Sequence, residues 1–352
     1  MFYNQQVEND CAQIISSISL KKFNQKKILI LGSNSFLASY IIAVLTQANH
    51  DLKLKTKLYC CSKNKPHSIF EEIYKKNKNF IDFKKIDLER VSNFKKKILN
   101  KKYDFIFHCA TYGQPEKWLN NFSSTTILNT VVLEELIKYS IKNKSRLMYF
   151  SSADVYEKNT SGKLINEKSK LGSPEDSYRS IYSLSKIMGE KICKYYEKNH
   201  KYKTYVVRPG HTYGPGQTIN DKRFISQVLK RALYEKKVYI FGNGKSIKTW
   251  CYISEVTSMI FNVIQFGKSN IYNLVGKDFI SVEEIAKEVA KQTNVKFFKK
   301  KIKNQFVSKD YSQVKLSSKK YHGEFKKKLK NINLSNGLNK FIKWSKGSIT
   351  KR

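Results

Sequence analysis

The chain has few acidic residues for its length: 28 Asp and Glu stand against 67 Lys and Arg over 352 residues, a formal charge of +39. It has no apolar run near the ~20 residues needed to span a bilayer, which excludes a bundle of membrane helices. Among Cys11, Cys60, Cys61, Cys109, Cys193 and Cys251 there is no C-x-x-C pair and no zinc ligand set. No metal site is therefore expected, and the thiols are expected to be buried and free in a reducing compartment. The N-terminus lacks the basic-then-apolar layout of a secretory signal, so a cytoplasmic location is expected. Nothing repeats at a fixed period.

What is present is enough apolar material for a core: 40% of residues are hydrophobic and 13% aromatic, which excludes global disorder. The lysine excess suggests a polyanionic partner. The lysines, however, are scattered. The short clusters at Lys95–Lys97, Lys299–Lys301 and Lys326–Lys328 sit among Asn, Ile and Phe, with no recognised nucleic-acid module beside them. Nucleic acid is not the expected partner.

Val7, Cys11, Ile14, Ile15 and Ile18 recur at helical spacing and predict a short amphipathic helix in an extension over residues 1–25. Strands are then expected at Lys27–Leu31, Leu58–Cys61, Phe83–Ile86, Tyr103–His108, Leu147–Ser151 and Thr204–Val207, with helical segments between them. Alternation of this kind implies βαβ units and a mostly parallel sheet. After about residue 210 the pattern changes to loops, short strands and helices. One helix start is explicit there: Ser281 and Glu284 form a capping box, with Ile280 placed to staple onto Ile285. The expected division is 26–210 for a nucleotide-binding sheet and 211–352 for a mainly substrate-binding lobe, some of whose segments return to the sheet.

The first strand runs directly into Gly32-Ser33-Asn34-Ser35-Phe36-Leu37-Ala38. Small residues at 32, 35 and 38 allow backbone N–H groups to approach a pyrophosphate at a helix N-terminus. Asp87-Leu88, ending the third strand, suits an adenine amino group. At the end of the second strand, where NAD-binding folds place an acid, stands Ser62-Lys63. A hydroxyl and a cation there could hold a 2′-phosphate, so both NAD and NADP stay open.

Tyr182 and Lys186 lie four apart, on one face of a helix. A phenol is a poor base near neutrality. A neighbouring ammonium would favour the phenolate and make proton abstraction from a sugar hydroxyl feasible. Upstream, Ser151-Ser152-Ala153-Asp154-Val155-Tyr156 brings a hydroxyl to the sheet's C-terminal edge.

With His108-Cys109-Ala110-Thr111, Arg208-Pro209-Gly210-His211-Thr212-Tyr213-Gly214-Pro215-Gly216, Trp250–Glu255 and Tyr272–Gly276 following in order, the chain resembles the NAD-dependent epimerase/dehydratase family. These are extended short-chain dehydrogenase/reductases acting on nucleotide sugars. The resemblance covers about residues 26–345. It implies an α/β fold, a Rossmann-type doubly wound parallel sheet with a smaller C-terminal α/β lobe. It also implies roles: Tyr182 as base, Lys186 on the nicotinamide ribose, and Ser152 on the reacting hydroxyl. Cys109, Ala110 and Thr111 would line the cofactor cleft, and Arg208, His211, Arg223 and Lys248 would meet the sugar nucleotide. Lys248 stands where the family usually has an arginine, keeping the charge but losing the bidentate fork. A homodimer through a helical face is implied as well.

The first step in this family resembles oxidation at sugar C4. A 4,6-dehydratase usually carries an Asp-Glu pair where this chain has Ala153-Asp154, so dehydration is disfavoured. Epimerisation asks nothing further of these positions and is the expected reaction. Tyr178-Arg179-Ser180-Ile181-Tyr182 is similar to the stretch in UDP-glucuronate decarboxylases, and Ser62-Lys63 would suit an NADPH-dependent 4-keto reductase. The non-enzyme alternative is an RNA-binding atypical member, against which the intact Ser152, Tyr182 and Lys186 argue.

Overall fold

The computed structural model describes residues 4–66, 68–157, 162–173, 180–300, 313–326 and 331–349. Helix α1 (Gln5–Ser17) precedes β1 (Lys27–Leu31), α2 (Phe36–Asp51), β2 (Lys57–Ser62), α3 (Ser68–Lys76), β3 (Ile81–Lys85), α4 (Val91–Lys97) and β4 (Phe105–His108). The short α5 (Pro115–Leu119), α6 (Phe122–Asn129) and α7 (Val131–Asn143) follow. Next come β5 (Arg146–Phe150), α8 (Ser180–His200) and β6 (Tyr205–Pro209). The rest comprises β7 (His211–Tyr213), α9 (Phe224–Tyr234), β8 (Lys237–Phe241), β9 (Ile247–Tyr252), α10 (Ile253–Phe266), β10 (Ile271–Leu274), β11 (Phe279–Ser281) and α11 (Val282–Thr293). The last elements are β12 (Lys296–Lys300), β13 (Gln313–Val314), α12 (Lys319–Glu324) and α13 (Leu334–Ile349).

Among the described residues, seven strands form one parallel sheet in the order β10-β6-β5-β4-β1-β2-β3. Its inner strands are covered on both faces. Ile28–Leu31 and Phe105–His108 are buried throughout, which is why they read as continuous apolar runs. Chain order reverses between β1 and β4, and the crevice beyond their C-terminal ends is where such sheets take ligands. A four-stranded sheet (β11-β9-β13, with β7 on β9) and the β12-β8 pair make the smaller lobe. The expected strands hold within two residues at each end. Beyond residue 210, β10 pairs with β6 and α10 packs on β5 and β6, so these two segments lie with the parallel sheet.

The N-terminal segment is built into the fold. Val7, Cys11 and Ile14 enter the core against α2 and α10. Buried Asp10 accepts hydrogen bonds from Tyr40 (3.2 Å), Tyr252 (2.7 Å) and Lys340 (2.7 Å). This second cover explains why α2 is apolar nearly all round. Ser281 caps α11 with the reciprocal bonds of a capping box, as its sequence predicts. All six cysteines are buried and free. No helix among the described residues is long and apolar enough to cross a membrane. Tyr178 and Arg179, which carry the decarboxylase likeness, lie outside the described residues, as do Lys301, Lys327 and Lys328.

His108, at the end of β4, is fully enclosed, stacked on Tyr149 at 5.9 Å with Nε2 2.8 Å from the Leu128 carbonyl. Burial pushes its pKa down to about 4, against the Leu128 bond, so the folded protein holds it neutral. Its contribution to stability is complete above the unfolded value of 6.5 and is lost as pH falls toward 4. The melting temperature should therefore drop on acidification across that window, and a His108→Gln variant should show a shallower drop in calorimetry.

Candidate active site

The open end of the sheet holds a cleft of about 1340 Å³, larger than one drug-sized ligand requires. At its base Gly32 ends β1 with φ +72°, and a Cβ there would lie 2.6 Å from the backbone of Ala110. Only glycine suits both the conformation and the approach. Ser35 then caps α2, accepting from Ala38 N–H, and the first-turn N–H groups of Phe36 and Leu37 have no carbonyl partner within the helix. Asn34 donates to the carbonyls of Asn64 (2.8 Å) and Lys65 (2.7 Å), drawing the loop after β2 over the turn. The cradle fits a dinucleotide pyrophosphate. Gly32, Asn34, Ser35, Phe36, Leu37, Ser62, Lys63, Asp87, Leu88, Cys109, Ala110 and Thr111 all line this part of the cleft. Ser33 is buried beneath it.

Lys63 bridges two carboxylates, Asp87 Oδ2 at 3.3 Å and Glu89 Oε1 at 3.1 Å, while Ser124 donates to Glu89 Oε2 at 2.6 Å. The cation that could have received a 2′-phosphate is thus already paired with two carboxylates, which a phosphate would meet.

Across the cleft, Tyr182 projects from the first turn of α8, within hydrogen-bonding reach of Ser152. Lys186 is not at the cleft surface. It is 1% exposed, donates to the Phe150 carbonyl at 2.5 Å, and lies 4.9 Å from the Tyr149 ring and 5.9 Å from the Tyr182 ring. Burial pushes it down to about 7, against the opposing pull of Cys109 and Glu190. Burial also pushes the Tyr182 phenol above the ordinary tyrosine value, helped by the charge of Asp154 and resisted by Ser152 and Arg223. The expected lowering by Lys186 is therefore not what dominates the phenol in the protein alone. Enclosure by protein dominates instead.

Asp154 opens onto the cleft, yet protein crowding raises its carboxyl pKa, against a hydrogen bond from Ser152 and the charge of Lys248. Lys248, His211 and Arg223 line the opposite wall, with His211 packed 5.0 Å from the Trp250 ring. Arg223 is gripped by Asp221 through Nε (3.0 Å) and Nη2 (2.7 Å). Arg208 is a correction: it is 1% exposed and paired with Glu190, facing away from the cleft that its neighbours Pro209, Gly210 and His211 line.

Three residues escape a reading of motifs. Trp118, on α5, stacks on Tyr182 at 5.9 Å and 17°. Gln114 lines the same cleft and hydrogen-bonds Asp221 on the opposite wall. Glu89 holds Lys63. The first two follow Thr111 closely in sequence, which is the signal that could have drawn attention to them.

The Lys63 cluster makes a direct statement about cofactor choice. In a fluorescence titration NAD⁺ should bind at least roughly tenfold tighter than NADP⁺, about 1.4 kcal/mol. Equal affinities would mean that Lys63 leaves its carboxylates to meet the extra phosphate.

Comparison with known proteins agrees with this geometry. A dTDP-D-glucose 4,6-dehydratase of Dictyostelium discoideum is 29% identical over 75% of this chain and 61% of its own length. UDP-glucuronic acid decarboxylase 1 of Xenopus tropicalis is 23% identical over 76% of this chain and 60% of its own. The chain therefore spans about three-fifths of the length of these curated relatives. A crystal structure of UDP-glucuronic acid 4-epimerase from Bacillus cereus in complex with NAD superposes with a TM-score of 0.74 at 19% identity, covering 93% of this chain and 98% of that one. The sequence model of the NAD dependent epimerase/dehydratase family matches residues 28–275, well over half of the chain, and the protein belongs to that family.

Proposed function

We propose that the protein is a nucleotide-sugar C4 epimerase. The observation that carries this reading is the convergence of Ser152, Tyr182 and the buried Lys186 on a cleft floored by the glycine turn, with Ala153 in place of a carboxylic acid. Bound NAD supplies a hydride acceptor that can return the hydride to either face of a 4-keto sugar. Tyr182 takes the proton of the C4 hydroxyl as that hydride leaves and gives it back on re-reduction. Ser152 hydrogen-bonds the same oxygen and keeps it aligned with the phenol. Lys186, held by the Phe150 carbonyl beneath the cleft surface, supplies positive charge near the phenol and would turn toward the nicotinamide ribose only by leaving that carbonyl. Lys248 and Arg223 meet the diphosphate from the opposite wall, and Trp118 limits the movement of the Tyr182 ring.

A second reading has one observation in its favour. Asp154, raised above the ordinary carboxylate value, can carry a proton into the cleft, and a 4,6-dehydratase needs such an acid. Incubation with a panel of UDP-, dTDP-, GDP- and CDP-sugars, followed by mass spectrometry, separates the reactions. An epimer keeps its mass, dehydration loses water, and decarboxylation loses carbon dioxide. Tyr182→Phe should lower turnover by at least about a thousandfold while NAD binding stays nearly intact. Retention of more than a few per cent activity would refute the base. Asp154→Asn should leave epimerisation largely in place, whereas loss of all product would favour dehydration.

The partner we propose is a second copy of the chain. On α8 the residues facing away from the sheet include Leu184 (50% exposed), Met188 (54%) and Tyr195 (57%), all on one helical stripe. Val131 and Phe122, on the neighbouring helices, are also exposed. Light scattering should give a dimer, and Leu184→Asp combined with Met188→Lys should give a monomer.

A further inference from the structure

The inner face of α8 carries Tyr182, Lys186 and Glu190 at intervals of four, and three consecutive residues at the end of β5 meet them. Phe150 accepts from Lys186 through its carbonyl, Ser151 donates to Glu190 Oε1 at 2.6 Å, and Ser152 reaches Tyr182. Glu190 is in turn gripped by Arg208 on β6, from Nε to Oε1 at 2.8 Å and from Nη2 to Oε2 at 2.5 Å, with both side chains no more than 3% exposed. Arg208 Nη1 donates to the Tyr156 hydroxyl (2.8 Å) and the Glu167 carbonyl (3.4 Å), and the Tyr156 hydroxyl donates to Asn273 (2.6 Å).

An ion pair this deeply enclosed gains little stability over apolar residues of the same size, because both charges lose their hydration. What it supplies is register, and charge with a direction. The groups around Lys186 are His108 and Cys109 at the end of β4, Tyr149 from β5, and Tyr182 and Glu190 on its own helix, with Cys193 beyond Tyr149 and Arg208 from β6 beyond Glu190. Within that set Glu190 brings the carboxylate, and Arg208 lies on its far side.

We propose that Glu190, held by Arg208, is a positioning residue of the site: it locks α8 to the end of β5 and keeps the Lys186 ammonium charged. The proposal rests on the roles given above to Tyr182 and Lys186. A merely structural pair would behave symmetrically, since losing either partner leaves a buried charge unpaired and destabilises the fold. A directed charge would not. Glu190→Gln removes the anion and leaves Arg208 cationic, so Lys186 should lose its proton more readily. Arg208→Met leaves Glu190 uncompensated, so Lys186 should hold its proton longer.

Carbon-13 NMR of protein labelled at lysine Cε reads this without substrate, Lys186 being the signal that titrates near neutrality and is missing from Lys186→Met. Relative to the parent, the midpoint should fall by about one pH unit in Glu190→Gln and rise by a similar amount in Arg208→Met. The double variant should lie between them. Shifts of the same sign, or none, would overturn the proposal. If Glu190→Gln does not fold, Arg208→Met decides alone: an upward shift supports the proposal and any other result overturns it. An unmoved Lys186 in a protein whose Tyr182→Phe form is inactive would sink only this proposal. An active Tyr182→Phe form would sink the epimerase reading and leave the titration standing.

Discussion

Everything in this site depends on how one helix is seated on one strand end. The residues that would perform the chemistry do not touch through their own side chains alone. They meet because the rise of α8, about one turn per four residues, is matched to the last residue of β5 and the two that follow it, whose carbonyl, hydroxyl and hydroxyl face Lys186, Glu190 and Tyr182 in turn. A slip of one residue in either element would break all three contacts together. The polar anchors lie beneath the cleft, out of solvent, where an unpaired group would be costly and the register is correspondingly well determined.

The other end of the cleft works by exclusion. The cradle at Gly32 exists because no side chain can stand between β1 and the Ala110 backbone, and α2 begins at once beyond it. The neighbouring strand ends then decide which dinucleotide the cradle favours. Lys63 has the wrong sign for an NAD site by the usual pattern, yet Asp87 and Glu89 return the local charge to negative. The carboxylates beside the end of β2 come here from just beyond β3. The burial that fixes Lys186 and Tyr182 also pushes the first down and the second up. The protein alone thus keeps the Tyr182 phenol protonated, and the positively charged nicotinamide of a dinucleotide held by the cradle would favour the phenolate.

Much of this was legible in the sequence, because its signals are local. The strand-turn-helix at Gly32, the alternation of strands and helices along the chain and the four-residue spacing of Tyr182 and Lys186 need only near neighbours. What could not be read depends on partners far along the chain. Arg208 begins a motif most of whose other members line the cleft, but its own direction is set by Glu190 on another element. Lys63 looked like a phosphate ligand until Asp87 and Glu89 were brought beside it. The N-terminal helix was visible by its periodicity. Its docking was not, since Asp10 finds Tyr40, Tyr252 and Lys340 only in the folded protein. Trp118 carries no motif and reaches Tyr182 only because α5 folds over the cleft.

The central claim is that the C4 hydroxyl gives its proton to Tyr182 as a hydride leaves C4 itself. The most direct measurement uses NAD-loaded protein and UDP-glucose and dTDP-glucose deuterated at C4, followed by nicotinamide absorbance and product mass. The account predicts transient reduction of the nicotinamide and product that retains its deuterium, with neither seen in Tyr182→Phe. Turnover in which the nicotinamide is never reduced, or in which deuterium is lost to water, would contradict it.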